Sequence, residues 1–465
     1  MATATPTEPK SGLDRFFHIS ERGSTVGTEV RGGLVTFVTM AYIVILNPII
    51  LSGKPDIAGN ELPYEAVGAA TALTAGVMTI LFGLVTRLPF AFAAGLGINA
   101  FVAFSVVGHV TWPEAMALVA INGALIVLLA ATGLRKMIFD AVPMQLKIAI
   151  TVAIGFFIAF IGFVNAGFST STTLPSPPVE LGQGGSIASI STLLFIITVL
   201  ITGALVALKV KGALLLGLIG GSVIAGIVNL INPQEGLFNF TGFVGLPDLS
   251  LIGAVDFSFD FTKVSLIAIV MLVFTLLFSN FFDAMGTMTG LATEAGLADK
   301  KGDFPRIKSA LVVEGVGAIA GGLSSTSSNT VFVESSSGIG EGARTGLANV
   351  VTGALFIIAM FFTPITGLVP GSVAAAALVI VGAMMMGQIK NIDLSDFRVL
   401  LPVFITVATM PLTYSIANGI GAGFVAWVVV NALSGKVKTI HPLMWIVSAG
   451  FVVFFARGPI EALFA

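Results

Sequence analysis

LPFAFAAGLGINAFVAFSVVG, residues 88–108, is apolar enough for a membrane helix, yet Pro89, Gly95 and Gly97 interrupt it ahead of Asn99. A second stretch, SSNTVFVESSSGIGEGART at 327–345, opens on Ser327, Ser328, Asn329 and Thr330 and later carries Gly338, Gly340 and Gly342. Proline removes a backbone donor and clashes with the preceding turn, and glycine costs about 1 kcal/mol in a helix interior. Neither stretch reads as an unbroken helix. Lipid satisfies no N–H or C=O group, so irregular backbone at membrane depth is tolerated only where it lines a cavity or is buried in protein. Two broken segments at matching places in the two halves of a chain point to a binding site near the bilayer midplane.

Working outward, the rest of the chain reads as membrane-spanning. Of 465 residues, 56% are hydrophobic and 10% charged, with a mean hydropathy of +1.02. A water-soluble surface of this size needs far more charge. Long apolar runs with short polar breaks are the pattern of helical spans, not of a barrel with its short alternating segments. Spans are expected near 30–51, 66–86, 88–108, 114–133, 144–164, 190–208, 212–232, 265–293, 307–323, 327–345, 347–366, 372–389, 398–413 and 415–434. A further apolar stretch, 441–456, is short for a crossing and is expected at the membrane surface or dipping partway in. Residues 1–29 read as a cytoplasmic tail, its first dozen residues polar and disordered.

Charge placement tests this count independently. With the N-terminus inside, Lys10, Arg15, Arg22, Arg31, Arg87, Arg135, Lys136, Lys147, Lys209, Lys211, Lys300, Lys301, Arg306, Lys308, Arg344, Lys390, Arg398, Lys436 and Lys438 all fall on the cytoplasmic side. Lys54 and Lys263 fall outside, and Arg457 is undecided. The agreement with the positive-inside rule gives an even number of spans with both termini in the cytoplasm of a cell-membrane protein. Fourteen divides into seven plus seven, and an odd-numbered half that repeats must be inverted. A net charge of −2 gives no basic surface for nucleic acid, and the absence of cysteine removes thiolate metal sites and nucleophiles. His18, His109 and His441 fall at or beyond span ends, so neither a metal site nor a cofactor is expected.

Ionisable groups inside spans cost roughly 2.5–3.5 kcal/mol each on insertion scales, so each needs a reason. Asp283 lies in the eighth span, Glu334 in the broken tenth, Glu314 in the ninth and Glu294 toward the cytoplasmic end of the eighth. Asp283, Thr287, Gly290 and Glu294 recur at i, i+4, i+7 and i+11, one stripe of one helix, with Asn280 on the same face. Gly286 and Gly290 form a small-xxx-small pair, more often a helix-packing device than a ligand contact. A planar, uncharged base edged with N–H donors and ring-nitrogen acceptors suits carboxylates and amides. A carboxylate whose proton affinity changes with occupancy couples uptake to a proton gradient.

At these motifs the chain resembles the AzgA-type purine permeases of the nucleobase–cation symporter superfamily, from about residue 14 to the C-terminus. The resemblance rests on Thr36-Phe37-Val38-Thr39-Met40-Ala41-Tyr42-Ile43 with Asn47-Pro48, on Gly95-Leu96-Gly97-Ile98-Asn99-Ala100-Phe101, and on Phe282-Asp283 with Gly286-Thr287. It continues through Val333-Glu334-Ser335 and Gly342-Ala343-Arg344-Thr345-Gly346-Leu347 to Pro411-Leu412-Thr413-Tyr414-Ser415-Ile416-Ala417. It implies an all-α integral membrane fold of about fourteen helices in two inverted seven-helix repeats, with short extended segments in the third and tenth spans. It further implies a core domain (30–133 and 265–366), a gate domain (144–232 and 372–434), a C-terminal segment (435–465) and a homodimer in the lipid bilayer. The substrate-binding residues it implies are Asn99, Asn280, Asp283 and Glu334, to which the polar motif neighbours Thr287, Gly97 and Thr330 are added. Asp283, Glu334 and Glu314 are the candidates for proton coupling. Relatives commonly carry acids at the positions of both Asn280 and Asp283, and often Thr at Ala284. Here the amide at 280 keeps shape and hydrogen bonding but removes a titratable group.

The leading expectation is therefore elevator-type, proton-coupled uptake of hypoxanthine or guanine, with adenine in range. The alternatives are a same-fold carrier of xanthine, uracil or an anion, a channel, or an intramembrane enzyme. An anion carrier prefers basic or backbone-donor sites, and the site here is acidic, with no intramembrane Lys or Arg. An aspartyl protease needs Gly-x-Gly-Asp, whereas Gly95-Leu96-Gly97 continues into Ile98-Asn99, and no His-Glu-x-x-His is present.

Overall fold

A computed structural model describes residues 11–132, 141–172, 177–233, 237–238, 240–259, 266–299 and 303–456. The expectations for residues 1–10, Arg135, Lys136, Lys263, Lys300, Lys301 and Arg457 lie outside the described residues. Helices and broken helices lie in the regions of the expected spans, with a further short helix in the N-terminal segment. In chain order these are α1 (Gly12–Phe17), α2 (Val26–Met40), α3 (Ile43–Leu51), α4 (Tyr64–Thr86), β1 (Phe92–Ala94), α5 (Leu96–Phe101), α6 (Trp112–Thr132) and α7 (Met144–Asn165). After a hairpin of β2 (Ser169–Ser171) and β3 (Val179–Leu181) come α8 (Ile190–Ala207), α9 (Ala213–Ile231), α10 (Leu266–Glu294) and α11 (Ile307–Leu323). The chain then runs through β4 (Asn329–Val331), α12 (Ser335–Gly340), α13 (Gly346–Ala359), α14 (Gly371–Met386), α15 (Phe397–Thr413), α16 (Ile416–Leu433) and α17 (Pro442–Phe455).

Ten helical segments among the described residues are long and apolar enough to cross a membrane, so this is a multi-pass membrane protein. α17 is not one of them. Its 14 residues reach about 21 Å, short of a ~30 Å hydrocarbon core, and it packs on α16.

The packing carries an approximate two-fold relation. In the first half α4 packs on α13, and in the second α11 packs on α6; α2 with α13 is matched by α10 with α6. Likewise α8 with α14 is matched by α15 with α7, and α8 with α9 by α15 with α16. The main pairings gather α2, α3, α4, α6, α10, α11 and α13 into one group and α7, α8, α9, α14, α15 and α16 into another. Without a hydrophobic drive between helices in lipid, close backbone approach matters most, and small residues supply it. A Cβ on Gly83 would sit 2.6 Å from the Gly346 carbonyl oxygen, one on Gly353 2.5 Å from that of Gly76, and one on Gly382 2.3 Å from that of Gly155.

Helix ends are closed by carboxylates. Glu29 accepts from the N–H of Arg344 (2.8 Å) and Thr345 (3.2 Å) at the start of α13. At the opposite end of the molecule Asp56 accepts from Trp112 N–H at the start of α6 (2.9 Å), and from Ala58 and Asn60 N–H. Burial alone raises the Asp56 carboxyl, but the Trp112, Asn60 and Ala58 donors outweigh it and hold the group below its ordinary range.

Candidate functional site

The two interrupted spans meet. β1 and β4 pair antiparallel, with Phe92 opposite Val331, Ala93 opposite Thr330 and Ala94 opposite Asn329. Gly95 N–H donates to Ser328 O and Phe332 N–H to Ala91 O, both at 2.9 Å, extending the ladder at each end. Backbone groups freed by the breaks are thus satisfied by each other, which is what burial in lipid demands. Glycine is required at the crossing, since a Cβ on Gly95 would lie 2.8 Å from Thr330 Cγ2 and one on Gly97 2.7 Å from Ile154 Cγ2.

Beside this crossing lies a cavity of about 100 Å³, lined by Tyr42, Gly97, Asp283, Thr287, Thr330, Phe332 and Glu334, with Val381 and Met385 from α14. It therefore sits between the two helix groups. Glu334 occupies the N-cap position of α12 without a side-chain bond to the helix, and its Oε1 accepts from the Tyr42 hydroxyl at 2.5 Å. Asp283 has no hydrogen-bond partner among the described residues, and the Thr330 hydroxyl is buried and unpartnered. Asp283, Thr287 and Val333 are shared with a larger vestibule of about 570 Å³ whose rim includes Met144, Lys147, Glu294 and Gln388. The Gly286–Gly290 pair lines this vestibule. A Cβ at either position meets open space, so the helix-packing reading of that pair is corrected. Away from the vestibule, Tyr414 packs edge-on against Phe104, Phe157 and Phe160, with Lys54 over the Phe104 ring at 5.0 Å.

Of the residues singled out from sequence, Asp283, Glu334, Thr287, Gly97 and Thr330 line one cavity. Asn99 and Asn280 do not. Both are 0% exposed and form a polar layer behind it. Asn99 Nδ2 donates to Asn47 Oδ1 (2.6 Å), Asn47 Nδ2 to Thr71 Oγ1 (2.7 Å) and Asn280 Nδ2 to Ser328 Oγ (2.8 Å). The side-chain oxygens of Asn99 and Asn280 are buried without a partner among the described residues. Glu314 is 1% exposed in α11, the helix packed on α6, and does not line the cavity. Tyr42, Val381, Met385 and Lys147 escaped selection as site residues. Tyr42 belongs to the quoted first-span motif, which was its signal; Val381 and Met385 are ordinary apolar residues with none. Buried Lys147, in the first turn of α7, also qualifies the expectation that the spans hold no cation near the site.

Comparison with known proteins decides the family. The Permease family model (Xan_ur_permease) matches residues 27–422. The chain belongs to the permease family. This permease is 37% identical to the guanine/hypoxanthine permease PbuG of Bacillus subtilis over 457 residues, 95% of this chain and 99% of that one. It is 35% identical to the adenine permease AdeP of Escherichia coli, covering 97% of each chain. Among solved structures, the permease resembles the transmembrane domain of the cyanobacterium bicarbonate transporter BicA with a TM-score of 0.64 at 16% identity, over 84% of this chain and 97% of that one. That last likeness speaks for the fold alone.

Proposed function

We propose that this permease carries purine nucleobases, hypoxanthine or guanine first and adenine in range, into the cell with protons. The observation that carries the reading is a cavity at the crossing of two broken spans, where the Glu334 and Asp283 carboxylates face a small space with apolar walls from α14. A flat neutral heterocycle offers N–H donors to such acceptors and π-faces to such walls. Near-full-length relatives bearing guanine, hypoxanthine and adenine in their names point the same way. Asp283 and Glu334, both at the cavity, are the proton-coupling groups in this reading, and Glu314 is at most a remote contributor.

The placement supports alternating access between two domains. The group containing α2–α4, α6, α10, α11 and α13, with the two broken spans β1–α5 and β4–α12, acts as the core domain and the group containing α7–α9 and α14–α16 as the gate, which in this reading makes fourteen crossings in two inverted repeats. Lys211, in the turn between α8 and α9, pairs with Glu341 at the end of α12, and Arg31 Nε lies 3.0 Å from the same carboxylate. This is a cross-group ion pair that an elevator movement must break. The vestibule opens on the side of Lys147 and Lys390, the cytoplasmic side by the charge rule, while Tyr414 and Phe104 lie on the other. In this reading the arrangement is inward-facing. A cell-membrane location with both ends in the cytoplasm and pairing of two copies belong to the same reading. Uptake of radiolabelled hypoxanthine into cells expressing the chain, challenged with unlabelled hypoxanthine, guanine, adenine, xanthine and uracil at two pH values, tests it. Competition by uracil alone, or uptake indifferent to pH, removes the purine or the proton part respectively.

A further inference from the structure

We infer that Tyr42 sets selectivity among purines by occupying one oxygen of Glu334, so that the site carboxylate meets the base through a single acceptor. The inference rests on the purine reading above and deepens it. Tyr42 is 1% exposed and sits at the Ala41–Tyr42 joint between α2 and α3. Its hydroxyl donates to Glu334 Oε1 at 2.5 Å, the short end of the O–H···O range. The same span also reaches the Glu334 backbone, where Thr39 Oγ1 lies 3.5 Å from the carbonyl oxygen. Glu334 is thus braced at both main chain and side chain, and among the described residues Tyr42 is the one other residue whose side chain bonds its carboxylate.

An unencumbered carboxylate accepts two parallel hydrogen bonds from a two-pronged donor. Guanine presents such a fork, its ring N1–H beside its exocyclic amino group. Hypoxanthine has N1–H on that edge and a C–H where the amino group would be. With Oε1 committed to Tyr42, both bases gain the bond to Oε2 and guanine gains little from its second donor. Tyr42 therefore levels the two bases. A tyrosine that only filled space between α2 and α12 would leave their ratio untouched on losing its hydroxyl.

The test uses the purified full chain in proteoliposomes. Inhibition of radiolabelled hypoxanthine uptake by unlabelled guanine and by unlabelled hypoxanthine is measured for wild type, Tyr42→Phe and Tyr42→Leu. Freeing Oε1 adds a hydrogen bond to a charged group for guanine alone, so the guanine-to-hypoxanthine affinity ratio is expected to rise roughly tenfold in Tyr42→Phe. Tyr42→Leu, which also lacks the donor, shifts the ratio in the same direction. The ratio is independent of how much protein inserts, so a poorly accumulating variant still reports. Wild-type ratios in the variants overturn the role of Tyr42 while leaving purine transport standing. A wild type that takes up neither base overturns the purine reading and this inference with it.

Discussion

Replacing Glu334 with glutamine is the sharpest test of the site, because the change is nearly isosteric and its consequences are countable. The Tyr42 bond at 2.5 Å ends on a carboxylate oxygen, and hydrogen bonds to charged groups contribute about 1.5–3 kcal/mol against about 0.5–1.5 for neutral ones. Losing the charge therefore costs about 1 kcal/mol of local stability, small for a helix bundle braced by the β1–β4 ladder. The ligand loses more. Its bond to Oε2 falls by about 1 kcal/mol for the same reason. Where the new amide NH₂ meets a base N–H, two donors face each other in a buried space, adding about 1–3 kcal/mol. The sum is about 3 kcal/mol, a roughly 100-fold loss of affinity. Glu334→Gln in proteoliposomes should show hypoxanthine uptake at background near the wild-type KM, with thermal unfolding in detergent close to wild type. A KM within threefold of wild type would remove Glu334 from the site.

The remaining expectations concern coupling, the departure at 280, packing and the Asp56 cap. Asp283→Asn should flatten the dependence of uptake on an imposed proton gradient more than it changes folding; an unaltered gradient response in vesicles refutes this. Asn280→Asp should preserve or raise uptake, because the Ser328 hydroxyl now 2.8 Å from Asn280 Nδ2 can turn to donate to a carboxylate; a clear loss shows a site tuned around the amide. Gly346→Ala places a Cβ 2.0 Å from the Gly83 carbonyl oxygen and should lower detergent stability by at least about 1–3 kcal/mol. Gly290→Ala meets open space and should hold or gain stability by up to about 1 kcal/mol; equal effects of the two would refute the packing. Asp56→Asn should cost about 1 kcal/mol at neutral pH, because the Trp112, Ala58 and Asn60 N–H groups then meet a neutral acceptor in place of a carboxylate. Because the folded carboxyl is held low, that contribution is present above the unfolded value near ~3.9 and lost as pH falls through the folded one. Stability curves of wild type and variant should therefore converge in acid, and a gap that persists there counts against the cap.

Hydropathy, the basic-residue bias and the two interruptions at 88–108 and 327–345 were enough to read a multi-pass helical protein with a site at its broken spans. Those signals are local: a helix needs some twenty apolar residues, and a carboxylate in lipid advertises itself by its cost. Which polar residues touch a ligand is not local. Asn99 and Glu334 sit in equivalent broken segments, yet Glu334 lines the cavity while Asn99 turns back to Asn47, because the partner of each is set by helices distant in sequence. The same holds for Gly286 and Gly290, whose spacing suits helix packing although among the described residues no atom would meet a Cβ at either position. Tyr42 finds Glu334 across 292 positions of chain, and Val381 and Met385 close the cavity from the other helix group. Sequence periodicity assigns a residue to a helix face. Only the crossing of separate helices decides whether that face meets lipid, protein or an open cavity.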